Sequence, residues 1–147
     1  MDKINFSDYE APGIGADNLN QLQNNIEKSA SGIVLYSNSA GTNGNIIFSE
    51  SAQAGDLIEI VYAKKTSGNI HYYKSTGKIP YISGMQCVLD MSRATSDVIV
   101  INSKIVTITS TGIGGGNSYS VNIGSTGIQA FSNNDTTIYI LKVVSYR

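Results

Sequence analysis

The closing stretch Thr136-Thr137-Ile138-Tyr139-Ile140-Leu141-Lys142-Val143-Val144-Ser145-Tyr146 decides the fold class of this chain of 147 residues. It is rich in β-branched and aromatic residues, which pack well on a pleated surface. Successive side chains of a strand point to opposite faces. Ile138, Ile140 and Val144 therefore share one face, and Tyr139, Leu141 and Val143 share the other. A strand of a two-layer sandwich keeps one face dry and one wet. Apolar residues on both faces imply that the outer side is covered too. A neighbouring subunit is the favoured cover; a loop or the N-terminal helix of the same chain is the alternative.

The segments upstream follow the same short, turn-bounded pattern. Ile33-Val34-Leu35-Tyr36 precedes a polar loop from Ser37 to Gly44, and Asn45-Ile46-Ile47-Phe48-Ser49 comes next. From Leu57 to Lys64, Ile58, Ile60 and Tyr62 alternate with Leu57, Glu59 and Val61. Ser67-Gly68-Asn69 and Thr76-Gly77-Lys78 read as turns around Ile70-His71-Tyr72-Tyr73-Lys74. Cys87, Leu89 and Met91 alternate with Gln86, Val88 and Asp90. Val98 to Ile101 and Ile105 to Ile108 read as a hairpin turning at Asn102-Ser103. Gly112 to Gly116 reads as a mobile loop before Tyr119-Ser120-Val121-Asn122-Ile123. Eight or nine strands at such spacing, with no helix between them, argue for an antiparallel β-sandwich, jelly-roll-like, over residues 31–147. The bias to 20 Ile and 9 Val against 6 Leu supports sheet over helix.

Residues 1–30 form a different, polar segment, broken at Pro12-Gly13-Ile14-Gly15. A short helix is expected over about 17–29, with Asp17 as N-cap and Gly32 just beyond its end. Leu19, Leu22 and Ile26 form one narrow apolar stripe among Asn and Gln. A helix this short is marginal alone in water, so the stripe needs a partner. Docking on the same chain and meeting copies of itself are both open, since the spacing also suits a coiled-coil seam.

Composition excludes several function classes. With 10 basic and 11 acidic residues there is no basic stripe for phosphates, so nucleic acid is not an expected partner. No run approaches about 18 apolar residues, and no basic segment precedes an apolar one at the start, so neither membrane insertion nor a secretory leader is expected. Cys87 is the single cysteine and excludes an internal disulfide. No cofactor or metal is expected, because one His and one Cys cannot supply a zinc ligand set.

Catalytic candidates are correspondingly thin. His71 has no Gly-x-Ser-x-Gly elbow or similar motif to serve, and a structural role is the expected one. Asp56, Glu59, Asp90 and Asp97 show no spacing that sets two carboxylates across a cleft. The Gly112–Gly116 run lacks the spacing of a phosphate loop. The chain is therefore expected not to be an enzyme. Nine Tyr without Trp suggest surface recognition instead. Tyr72, Tyr73 and Tyr81, around the Thr76-Gly77 turn, are the candidate ligand-binding residues. Leu19, Leu22, Ile26, Tyr139, Leu141 and Val143 are the candidate oligomer interface.

The run Asp17-Asn18-Leu19-Asn20-Gln21-Leu22-Gln23-Asn24-Asn25-Ile26-Glu27 resembles a linker helix of tail-fibre and baseplate proteins from phages and prophages of Gram-positive bacteria. Val34 to Ile46 is similar to the opening of the β-rich C-terminal domain that follows that helix. Asp56 to Tyr62 and Ile138 to Arg147 add to the likeness. Such chains often close on Gly-Tyr-Lys, where this one closes on Ser145-Tyr146-Arg147. The resemblance implies a virion component, made in the bacterial cytoplasm and assembled as a homotrimer at a tail tip or fibre end. It would contact other tail proteins or a host-surface polysaccharide. It also implies that the fibre shaft is a separate polypeptide or missing. No binding residue carries over from the family. The rival reading is a monomeric carbohydrate-binding module that accompanies a glycan-active enzyme.

Overall fold

The computed structural model describes residues 16–67, 69–94 and 96–147. The break expected at Pro12–Gly15 lies outside them. One helix, α1 (Ala16–Ser31), is followed by ten strands: β1 (Ile33–Thr42), β2 (Ile46–Ile47), β3 (Leu57–Thr66), β4 (Asn69–Ser75), β5 (Ile79–Pro80), β6 (Met85–Ala94), β7 (Val98–Thr109), β8 (Gly112–Gly124), β9 (Gly127–Ser132) and β10 (Ile138–Tyr146). The strands form two curled antiparallel sheets in a sandwich-like arrangement. The first sheet runs β1-β10-β3-β4, with β5 also on β3; the second runs β2-β8-β7-β6, with β9 on β8.

The core lies between the sheets. Ile58, Ile60 and Tyr62 of β3 face inward as their alternation predicts, and they meet Leu89 and Met91 of β6 and Val106 and Ile108 of β7. Ile138, Ile140 and Val143 of β10 join them. Closing residues this apolar removes roughly 1.5–3 kcal/mol of exposure cost for each large side chain.

Five expectations from the sequence are corrected. The hairpin at Asn102-Ser103 does not exist: β7 is one continuous strand, with Asn102 opposite Met91 on one side and Ser120 on the other. The glycine run is no loop, since Gly112, Gly114 and Gly115 pair with Thr109, Thr107 and Val106. Two of these glycines are required by close approach: a Cβ on Gly112 would lie 2.1 Å from the Ile46 carbonyl oxygen, and one on Gly116 would lie 2.4 Å from that of Ile105. The polar stretch after Tyr36 continues as strand to Thr42, with an irregular register beyond Ser37. Finally, a bulge between Ile140 and Lys142 shifts the phase of β10. Val143 thus joins Ile138 and Ile140 in the core, while Val144 turns to the outer side. The helix begins at Ala16, which places Asp17 in its first turn instead of at the cap.

Candidate functional site

The residues expected to bind ligand do not converge. Tyr72 and Tyr73 are adjacent on β4 and so project to opposite faces. Both are exposed, whereas Tyr81 is buried in the core, 8% exposed, with its hydroxyl unpartnered among the described residues. No shared tyrosine platform results. The His71 side chain lies outside the described residues.

The carboxylates considered for catalysis are held in structural contacts. Asp56 accepts from Gln53 N at 2.9 Å and Ser145 Oγ at 2.5 Å, and sits 3.6 Å from Arg147 Nε. Glu59 accepts from Ser75 Oγ and Tyr146 Oη, and the Ser75 bond, more than any other contact, holds its carboxyl below the usual range. Asp90 pairs with Lys74 at 2.9 Å. Cys87 packs half-buried against the core, and burial pushes its thiol up, away from the reactive thiolate. Among the described residues no group of three or more His, Cys, Asp or Glu is placed to hold a metal.

The residues expected at an interface divide into two sets. On α1, Leu19 is half-buried, while Leu22 and Ile26 are 55% and 60% exposed. Leu22 and Ile26 are thus left largely open by the described part of the chain. On β10 the reverse holds. Val143 is fully buried in the core and Leu141 is 8% exposed. Tyr139 is half-buried with the Lys65 ammonium 5.0 Å from its ring centroid. The outer side of β10 is closed within a single chain.

The open apolar face lies elsewhere, on the outer side of the second sheet. Inward positions of β7 are Val100, Asn102, Lys104, Val106 and Ile108, so Ile99, Ile101 and Ile105 point out. Pairing aligns them with outward residues of both neighbours. Ile105 stands opposite Val88 of β6, Ile101 opposite Val121 of β8, and Ile99 opposite Ile123. On β9, Phe131 and Ile128 extend those last two rows. Tyr119 and Phe131 stack with centroids 6.1 Å apart. Phe131 and Ile128 are 64% and 72% exposed. The sequence carried this signal: in Val98-Ile99-Val100-Ile101 both alternations are apolar, as they are in β10. The polar pair Asn102-Ser103 interrupts the run and mimics a turn.

A second, polar site sits at one end of the space between the sheets. Lys64 of β3 donates to Asn102 Oδ1, and Asn102 Nδ2 donates to Asp135 and, at 3.0 Å, to Ser120 Oγ. Asp135 Oδ1 accepts from Thr137 N at 2.9 Å, and Lys104 donates to the Asn43 carbonyl at 2.6 Å. All four of Lys64, Asn102, Lys104 and Asp135 are buried. Burial pushes both lysines below their ordinary range, while the Asp135 charge works against that shift. Lys104 and Asp135 line a cleft of about 340 Å³ with Asn117, Ser118, Asn133 and Asn134.

No protein-family model, no curated protein and no solved structure matches this chain.

Proposed function

We propose that this chain is a non-enzymatic, phage-tail-type binding protein that works as a homotrimer and holds a host-surface glycan or a neighbouring tail protein. The observation that carries the reading is the open apolar face on β6, β7, β8 and β9. Contiguous exposed apolar surface of this kind marks an interaction site. A second copy of the chain is the partner that fits best, because the rows at Ile99, Ile101 and Ile105 carry no charged residue and interfaces are depleted of charge at their cores.

Size decides how much more is needed. Four strands about 4.8 Å apart, used over some six residues, give a footprint of roughly 15 by 20 Å, or about 300 Å². Stable interfaces bury about 800 Å² per partner. The face alone falls short, so the assembly also draws on the Leu22–Ile26 stripe of α1. The resemblance to tail-fibre and baseplate chains supplies the trimer and the virion location. Three copies raise avidity for a repeated surface sugar without new chemistry.

Absolute mass by light scattering tests this. The wild type is expected at three chains, with Ile123→Asp and Leu22→Asp each lowering the mass. A wild-type monomer at micromolar concentration would overturn the trimer and favour a monomeric carbohydrate-binding module.

A further inference from the structure

The polar end of the sandwich carries more positive charge than its contacts neutralise. Lys64 and Lys104 share one carboxylate, Asp135, whose two oxygens already accept from Asn102 and Thr137. The Lys104 side chain comes from an inward position of β7 and is 4% exposed. An ammonium carries three N–H donors. Among the described residues the bond to Asn43 O uses one of them. A buried ammonium with unused donors is costly unless another acceptor reaches it. That same side chain lines the cleft, whose other charged residue is Asp135. The remaining polar lining is amide and hydroxyl: Asn43, Asn117, Ser118, Asn133, Asn134 and Thr136.

We propose that this cleft binds an acidic sugar residue, with its carboxylate or phosphate oxygens on Lys104 and its hydroxyls on the asparagine amides. The anion accepts from Lys104 beside its bond to Asn43 O and offsets the second ammonium. A volume of about 340 Å³ falls in the range of sites that hold whole small molecules, roughly 300–1,000 Å³, which points to a sugar unit over a bare ion. Among the described residues no aromatic ring lines the cleft. Recognition there rests on charge and hydrogen bonds, not on stacking. The inference names the site of the glycan contact in the reading above, and in that sense rests on it.

The test is a calorimetric titration of the intact chain with glucuronate, glucose and inorganic phosphate, each taken into the millimolar range at low salt. Saturable glucuronate binding is expected, with glucose at least ~10-fold weaker because it lacks the charge-assisted bonds. Phosphate competing with glucuronate would support the charged subsite. Lys104→Met is expected to remove glucuronate binding. Because that change lies in the interior, Asn134→Ala at the exposed rim serves as a second variant, expected to weaken binding several-fold with an unchanged melting midpoint. Equal affinity for glucose and glucuronate, no heat from either anion, or unaltered binding by a folded Lys104→Met would each overturn the proposal. Light scattering on the same samples separates the two readings. A trimer that binds no anion loses only this inference, whereas a monomer that binds glucuronate loses the assembly and keeps the site.

Discussion

Strands β10 and β7 both carry apolar residues on their two faces, yet among the described residues the outer side of β10 is closed by its own chain and that of β7 is open. The difference lies in what each strand has beside it. On β10, Val144 packs where Gly32 leaves α1: a Cβ on Gly32 would lie 2.5 Å from Val144 Cγ1. In the irregular stretch of β1 a Cβ on Gly41 would lie 2.9 Å from Leu141 Cδ2 and 3.0 Å from Tyr139 Cβ, and Lys78 places its ammonium 3.7 Å from the Tyr146 ring centroid. Around β7 the neighbours are regular strands that add their own apolar residues to the same side. An apolar outer face is thus not by itself an interface. It becomes a candidate only where no segment of the same chain folds over it.

The comparison breaks most sharply by truncation on each strand. Ile140→Ala, in the core, is expected to cost about 2–5 kcal/mol in a denaturant melt and to leave the association state unchanged. Phe131→Ala, on the open face, is expected to change the stability of the separated chain by no more than about 0.5 kcal/mol. It should weaken self-association by about 2 kcal/mol, some 30-fold, in dilution-series light scattering. If both substitutions cost the same in the melt, the face on β7 is not open and the contrast fails.

A third change asks whether closure of β10 depends on the chain leaving α1. Gly32 has φ +74°, a left-handed conformation that other residues adopt at a cost. Gly32→Ala is expected to lose about 1–2 kcal/mol from the backbone alone, and more if Val144 cannot yield. Tryptophan-free tyrosine fluorescence during thermal melting would read it. A neutral outcome would mean that the cover over β10 is loose.

How much of this was legible in the sequence depends on which residues carried the signal. Strong alternation in β3 and β6 fixed their inward faces correctly, because an antiparallel strand with one packed face must repeat every second residue. The phase of β10 was not legible beyond Ile140, since a bulge inserts one residue without any mark that distinguishes Leu141 from its neighbours. The false hairpin has a more instructive origin. Asn102, Ser103 and Lys104 interrupt an apolar run, and polar residues are expected in turns before they are expected inside. Here Asn102 and Lys104 face inward to meet Lys64 and Asp135, partners that arrive from distant strands and loops. Glycines misled for a similar reason: at Gly112 and Gly116 the small residue serves strand contact, not flexibility. Of the candidate residues, the α1 stripe is legible as apolar spacing, while the Lys104 cleft is not, because its lining comes from four separate stretches of chain that form no recognisable motif.

The polar end also gives the smallest expected effect, in the pH dependence of stability. Burial, partly countered by Asp135, lowers Lys64 from its ordinary 10.5, so the folded chain releases that proton at lower pH than the unfolded chain. Between the folded value and 10.5 the unfolded state binds more protons, and stability therefore rises with pH. The slope from one group cannot exceed about 1.4 kcal/mol per pH unit. Lys104 acts in the same sense. Tyr62 acts in the opposite sense: burial raises it above 10.0, so its contribution is lost as pH climbs past that value. Denaturant melts of wild type and Lys64→Met across the alkaline range below pH 10 isolate the lysine effect, with the difference between them expected to change steadily with pH. A constant difference would mean that Lys64 keeps its ordinary affinity for the proton. The contrast between an apolar core and a charged end of the same sandwich would then carry no electrostatic cost.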